Sequence, residues 1–277
     1  MTEAWLDLHV HTYYSDGLLS PEVVVKKAKE AGLAGVGIVD HDTIAGIPEA
    51  EAAGKKLGIT VVPGAELSSQ HSGRDIHILG YFMQSDHPKL IEYLELFRVE
   101  RYRRAERMVQ KLNQMGVNIS MEEVEGKASA HSIGRPHIAE ILTEKGYVET
   151  FQEAFHRYIG YGGKAYEEKY RITPQKAIAL IAETGGLSFL AHPSSIIDDK
   201  LLLEMIKAGL DGIEIVHPKL SQDRTRFLQR VAQNHGLLVS GGSDCHGGRN
   251  GMLSIGRYKV PLSIIDEMKQ AIALRRG

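Results

Sequence analysis

The sequence predicts an α/β fold: a closed or nearly closed β/α barrel of seven strands, interrupted by one helical insertion. Three observations predict it. Short apolar runs alternate with amphipathic helical patterns at both ends of the chain. Strand patterns almost vanish from about residue 87 to residue 170. Histidines and carboxylates recur at the ends of the strand-like runs, which is where barrel enzymes assemble a site from several strands.

The elements follow in order. "AWLDLHV" (4–10) reads as a strand, and "SPEVVVKKAKEAG" (20–32) as a helix with Ser20 as N-cap, Pro21 at its first position and Gly32 as its stop. A strand at 34–41, a helix at 45–58 and strands at 59–67 and 75–82 continue the rhythm, which argues for parallel βα units. The segment 87–116 is one long amphipathic helix, and shorter helical patterns fall at 120–128, 134–145 and 149–159. Its charged run "RVERYRRAER" (98–107) interleaves glutamate with arginine, as a solvated helix face does. Helices at 173–186, 200–209, 221–236 and 261–276 then alternate with strands at 187–193, 211–218 and 237–246. The expected organisation is a barrel from 1–84 and 171–277, with 85–170 inserted as a cap over the site.

Bulk composition removes several classes. A net charge of −2 excludes a uniformly basic chain and leaves room for a local basic pocket. The single cysteine, Cys245, rules out an intramolecular disulfide and fits a reducing compartment. No apolar run reaches the roughly 18 residues of a membrane span, and the first residues lack a signal-peptide pattern. A cytoplasmic protein with no membrane contact and no obligatory protein partner is the expectation.

In "LDLHVHTYYSDG" (6–17), Asp7, His9 and His11 share one face of a strand, while Leu6, Leu8 and Val10 share the other. Asp244 and His246 repeat that spacing, and Cys245 turns away. Asp16, Asp40, His41, Asp42, Glu66, His77 and His192 all fall near strand ends. Singly, each has an ordinary explanation: turn chemistry for Asp16, a helix cap for "DHDT", a structural role for His77. Gathered on one face they read as a metal site. Nitrogen and carboxylate donors without thiolate favour manganese, iron or zinc.

"DLHVHTYYSDG", "DHDT", "PGAELS", "IHILGY", "LAHP" and "GSDCH" occur in the order found in the PHP phosphoesterases (polymerase and histidinol phosphatase), which the chain resembles over nearly its whole length. With "GRPH" (134–137) and the overall length, it is similar to members that hydrolyse nucleoside 3′,5′-bisphosphates, some of them also 5′-to-3′ exoribonucleases on short RNA. The resemblance implies a distorted seven-stranded, TIM-like β/α barrel holding three divalent ions, manganese first and zinc or iron as alternatives. It implies His9, His11, Glu66 and Asp244 around the first ion, Asp16, His41 and His246 around the second, and Glu66, His77 and His192 around the third, with Glu66 bridging. Some relatives carry histidine at the position of Asp16.

Such ions lower the pKa of a coordinated water to near 7, so hydrolysis by a metal-bound hydroxide needs no serine or cysteine nucleophile. His217, also at a strand end, is a candidate to orient a phosphate or protonate the leaving oxygen, with a structural role as the alternative. A small nucleotide substrate such as adenosine 3′,5′-bisphosphate needs a second anion site. Arg135, His137, Lys164 and Arg171 on or beside the insertion, and Ser194, are the candidates. The competing expectations are a histidinol-phosphatase-like enzyme acting on a small non-nucleotide phosphomonoester, and a non-catalytic metal-binding module. The complete ligand set argues against the last.

Overall fold

The computed structural model describes residues 4–128, 133–193, 197–248 and 252–276. Its strands are β1 (Trp5–Val10), β2 (Gly35–Ile38), β3 (Thr60–His71), β4 (Arg74–Tyr81), β5 (Leu187–Leu190), β6 (Gly212–Val216), β7 (Leu238–Gly241) and β8 (Val260–Pro261). They form one sheet in the order β7-β6-β5-β4-β3-β2-β1-β8. Beyond its last ladder residue the β7 chain meets β1: the Asp244 N–H donates to His9 O at 2.8 Å and the His11 N–H to Cys245 O at 3.0 Å. The sheet is therefore a nearly closed barrel.

Two features differ from the sequence expectation. The sheet has eight strands rather than seven. The eighth, β8, is a two-residue strand antiparallel to the start of β1, too short to carry a sequence pattern. The second difference is β4, which runs antiparallel to both β3 and β5. The reason is local. Ser72 and Gly73 both take left-handed φ values, 49° and 81°, which is the backbone of a two-residue hairpin turn. That turn forces β3 onward to His71 and folds β4 straight back along it. β1, β2 and β3 pair in parallel, as do β5, β6 and β7.

Helices cover the barrel: α1 (Pro21–Glu30), α2 (Ile47–Leu57), α7 (Pro174–Glu183), α8 (Asp199–Lys207), α9 (Gln222–His235) and α10 (Ile264–Arg276). Leu6 and Leu8 of β1 pack in one cluster with Ile264, Ile265 and Met268 of α10, and Val10 in another with Val24 and Val25 of α1. The alternation read from the sequence thus holds, and Asp7, His9 and His11 face the barrel interior. The side chain of Ser20 accepts from the Val23 N–H, so the expected N-cap of α1 forms.

Between β4 and α7 the regular elements among the described residues are helices: α3 (Pro88–Gln114), α4 (Met121–Lys127), α5 (Arg135–Glu144) and α6 (Phe151–Ala154), the last running into a π-turn over Phe155–Ile159. This segment has its own apolar cluster, built on Met108, Leu112, Ile138, Leu142 and Ile159. α3 links the two bodies. Its Tyr93 and Phe97 join the cluster beside β3 and β4, and its Met108 and Leu112 join the helical one. Among the described residues no helix is long and apolar enough to cross a membrane.

Candidate metal centre and anion pocket

The nine residues expected as ligands converge inside one end of the barrel. His9 Nε2 lies 3.1 Å from His11 Nε2, 3.3 Å from Glu66 Oε2 and 3.5 Å from Asp244 Oδ1. His11 Nε2 lies 3.3 Å from Glu66 Oε2 and 3.2 Å from Asp244 Oδ1. Donor atoms about 2.1 Å from a common centre stand about 3.0–3.4 Å apart, so these spacings match one ligand shell. His11, Asp16, His41 and His246 form a second group, with Asp16 Oδ1 3.2 Å from His246 Nε2.

Glu66 joins the groups. Its Oε2 faces His9, His11 and His41, the last at 3.2 Å, while Oε1 faces His77 Nδ1 at 2.8 Å and His192 Nε2 at 3.0 Å. His41, Glu66 and His77 form a further group across the two oxygens, and His192 reaches Oε1 from β5's end. His77 was expected at a strand's C-terminal end. It lies instead in the N-terminal half of β4, paired opposite Ser68. Because β4 is reversed, that half reaches the face where β1 and β2 end.

The chemistry of these atoms fits cations. His9 Nδ1 lies 3.0 Å from Glu214 Oε1, and a buried carboxylate only accepts, so the ring proton sits on Nδ1 and the lone pair of Nε2 faces the other donors. His41 Nδ1 and His77 Nδ1 are buried at contact distance from Glu66, yet neither makes a hydrogen bond. Electron-rich atoms aimed at a shared point, rather than at one another, are what an ion requires. Electrostatics agree. Burial opposes charge on His9 and His11. The carboxylates Glu214, Glu66 and Asp244 outweigh it for His9, holding it well above its ordinary range; Asp244 and Glu66 push His11 up to about 10. The cluster demands positive charge, and bound ions would displace those protons.

Surrounding residues set this geometry. Asp40 accepts from Thr12 N–H at 2.7 Å, Thr12 Oγ1 at 2.6 Å and Ser15 Oγ at 2.5 Å, fixing the loop that carries Asp16. Asp7 accepts from the N–H groups of Ser243 and Gly256, each at 2.9 Å, tying the loops after β7 to β1. His192 and Asp244 take left-handed φ values of 31° and 51°, which aims side chains from strand ends inward. Glu214, which the sequence reading missed, is fully buried on β6 and also accepts from the His192 N–H at 2.7 Å. One carboxylate thereby orients two candidate ligands. Its signal was there: a glutamate in the middle of the apolar run "DGIEIV".

His217 is buried beside the shell. Its Nδ1 accepts from Lys219 N–H at 3.1 Å, which puts its proton on Nε2, 3.4 Å from Asp244 Oδ2. Burial holds its pKa below the ordinary value, so the ring is neutral. Lys219 Nζ, also unforeseen, lies 2.8 Å from Asp244 Oδ2.

A cavity of about 250 Å³ opens from this centre under the helical segment. Asp16, Asp75, His41 and His77 line it together with four cations, Arg101, Arg104, Arg135 and Lys169. Arg135, expected here, packs its guanidinium over Phe155 with the carbon 5.4 Å from the ring centroid. The π-turn that begins at Phe155 is closed by the Gly160 N–H on Phe155 O at 2.8 Å. The other anion-site candidates fall elsewhere. Lys164 is exposed and does not line the cavity, where Lys169 does. His137 is buried and its Nδ1 accepts from the Gly134 N–H, a helix-capping position. Arg171 stands behind the wall, 3.6 Å from Asp75 Oδ1 and donating to Tyr166 OH. Ser194 lies outside the described residues.

Arg101 and Arg104 correct the reading of "RVERYRRAER" as a wholly solvated face. Arg98 and Arg103 do pair with Glu95 and Glu100 at the surface. Arg101 and Arg104, one turn apart, point inward. Arg101 donates twice to Asp42, which also accepts from Ser68 N–H at 2.7 Å and Tyr93 OH at 2.9 Å. Asp42 follows His41 directly, so the cavity's cations are tied to the metal shell. Lys169 donates to Ser68 Oγ. The cations crowd one another. Burial, reinforced by Arg101, lowers the Lys169 pKa to about 8, and burial with Arg135 and Arg101 lowers Arg104 to about 10. A pocket with excess positive charge is built for an anion.

Comparison with known proteins agrees with this site. The PHP domain profile matches residues 7–184. A 5′-3′ exoribonuclease of Haemophilus influenzae is 35% identical over 245 residues, 87% of this chain and 89% of the relative. A 3′,5′-nucleoside bisphosphate phosphatase of Chromobacterium violaceum is 30% identical over 257 residues, 91% and 90% of the two chains. The crystal structure of a Bifidobacterium adolescentis protein assigned as a metal-dependent phosphoesterase superposes with a TM-score of 0.90 at 31% identity, covering 97% of this chain and 96% of that one.

Proposed function

The chain belongs to the PHP family of metal-dependent phosphoesterases, and from that premise we propose that it removes the 3′-phosphate of nucleoside 3′,5′-bisphosphates. The observation that carries this reading is one cavity whose lining combines two chemistries: the candidate ligands Asp16, His41 and His77, and the cations Arg101, Arg104, Arg135 and Lys169. A phosphomonoester with one anion needs only the candidate ligands. A substrate with two phosphates uses both sets. In this reading the helical segment 85–170 is a cap that supplies the second anion site.

We assign His9, His11, Glu66 and Asp244 to one ion, Asp16, His41 and His246 to a second, and Glu66, His77 and His192 to a third, with manganese as the expected metal. The donor set, imidazole and carboxylate without thiolate, supports that choice. When bound, such ions activate water as the nucleophile and neutralise charge on the phosphoryl group. The chain's own residues do the rest. Arg101, Arg135 and Lys169 hold the phosphate that is not cleaved and so fix the other one against the shell. Glu214 holds His9 in one tautomer. His217, a neutral ring, presents its Nε2 N–H toward the shell, where it would stabilise the leaving 3′-oxygen by a hydrogen bond as the phosphorus–oxygen bond breaks, the proton that oxygen takes up coming from the attacking water. Water adds to phosphorus, and the products are inorganic phosphate and the nucleoside 5′-monophosphate.

The same pocket suits the 5′-terminal phosphate of a short RNA, and the Haemophilus relative is named a 5′-3′ exoribonuclease. The test is a product-resolved panel on manganese-loaded protein: adenosine 3′,5′-bisphosphate, a 5′-phosphorylated trinucleotide and histidinol phosphate. We expect AMP from the first with kcat/KM well above that for histidinol phosphate. Faster turnover of histidinol phosphate would replace the bisphosphate reading with a small-substrate phosphatase.

A further inference from the structure

Tyr161 is 85% exposed, the most exposed large hydrophobic side chain among the described residues. It does not hang from slack chain. The Gly163 N–H donates to Gly160 O at 2.9 Å, the Ala165 N–H to Tyr158 O at 2.8 Å, and Gly162 takes a φ of 77°. A Cβ at Gly163 would sit 2.5 Å from Tyr158 O, so the loop is packed tightly against its own stem. This turn projects an aromatic ring into water beside the cation-lined cavity.

The path from the cavity to Tyr161 alternates cations and rings. Phe155 forms part of the wall, with Arg135 over its face. The Arg135 guanidinium is 5.9 Å from the Tyr166 ring centroid, and Arg104 is 5.8 Å from the same ring. Tyr161 stands edge-on to Tyr166, centroids 5.6 Å apart at 65°. At its exposure at least one face of Tyr161 is open. Interleaved cations and aromatic faces are how proteins hold single nucleotides and strands, the cation taking phosphate and the ring taking a base.

We propose, resting on the bisphosphate reading above, that Tyr161 is a stacking platform for the nucleobase of a nucleotide whose phosphate occupies the cavity. Tyr166 links the two ends of the proposed site, its ring 5.9 Å from the Arg135 guanidinium and 5.6 Å from the Tyr161 ring. Stacking uses the π-face that all bases share, so the platform selects for a nucleoside and not for a particular base.

The experiment compares adenosine 3′,5′-bisphosphate with ribose 3,5-bisphosphate, which keeps both phosphates and lacks the base, on manganese-loaded wild type, Tyr161→Ala and Tyr161→Phe. The readout is the ratio of kcat/KM for the two substrates. Wild type is expected to prefer the nucleoside. Tyr161→Ala is expected to reduce that preference on the order of tenfold, through KM, and Tyr161→Phe to retain it. A preference unchanged in Tyr161→Ala overturns the proposal, as does equal loss on both substrates, which would mark a structural role. A wild type inactive on both substrates overturns the bisphosphate reading and this inference with it. Activity with no effect of Tyr161 overturns the inference alone.

Discussion

At the scale of single residues the site depends on buried carboxylates placed against histidines. Glu214 makes no approach to the cavity, yet it fixes His9 through Nδ1 and His192 through its backbone. Replacing it by Gln keeps the volume and allows the amide to present a donor where the ring already donates. Such supporting carboxylates typically contribute about 10–100-fold to metal affinity. Glu214→Gln should therefore weaken manganese binding by about that factor, read by competition with a chelator dye. A folded variant with wild-type affinity would refute the assignment. Lys169 gives a pH dependence with two signs. Its folded pKa, about 8, lies below the ordinary lysine value of 10.5. Anion binding needs the charged amine, so KM for a bisphosphate should rise as pH passes through about 8, and Lys169→Arg should remove that rise. Stability moves the other way. The unfolded chain binds the extra proton between those two values, so this residue's contribution to stability grows with pH across them. Both residues show why the site was only partly legible in the sequence. His9, His11, Asp16 and Glu66 stand in short motifs with fixed spacing. Glu214 left one signal, a glutamate inside an apolar run; Arg101 and Lys169 are single residues in ordinary charged runs, and only the fold brings them to the others.

Individual elements place those residues. Most strands and helices were legible, because the strands are short apolar runs bounded by turn residues and the helices keep a 3.6-residue period with caps and glycine stops. The direction of β4 was not, since an apolar run reads the same whichever way it pairs; the Ser72–Gly73 turn was the available signal. The junction between β7 and β1 is the element on which the centre depends most, because it brings Asp244 against His9 and His11. It is close: a Cβ at Gly242 would lie 2.4 Å from the His9 backbone nitrogen. Gly242→Ala must push the two strand ends apart. Overpacking of this kind costs about 1–3 kcal/mol. We expect a lower melting temperature together with weaker metal binding, measured on the same preparation. A lower melting temperature with metal affinity intact would show that the junction supports the barrel without shaping the shell.

For the whole molecule, the candidate metal-ligand cluster lies at the end of the barrel that opens on the cavity beside the helical segment, and its carboxylates Glu66 and Asp244, buried or nearly so, call for compensating positive charge. Ions that bind the folded chain and not the unfolded one stabilise it, by about 2.7 kcal/mol per site at a free concentration 100 times the dissociation constant. Chelation should lower the melting temperature by several degrees, and manganese should restore it; no shift in either direction would argue against a metal-holding core. The central claim is that this cluster, loaded with divalent ions, hydrolyses a phosphate ester held by a second anion pocket. Its most direct test is a titration of manganese into chelator-stripped protein while phosphate release from adenosine 3′,5′-bisphosphate is followed. The account predicts no release from stripped protein, a rise with added manganese, and saturation near three equivalents per chain. Release that persists in metal-free protein, or none at saturating manganese, would contradict it.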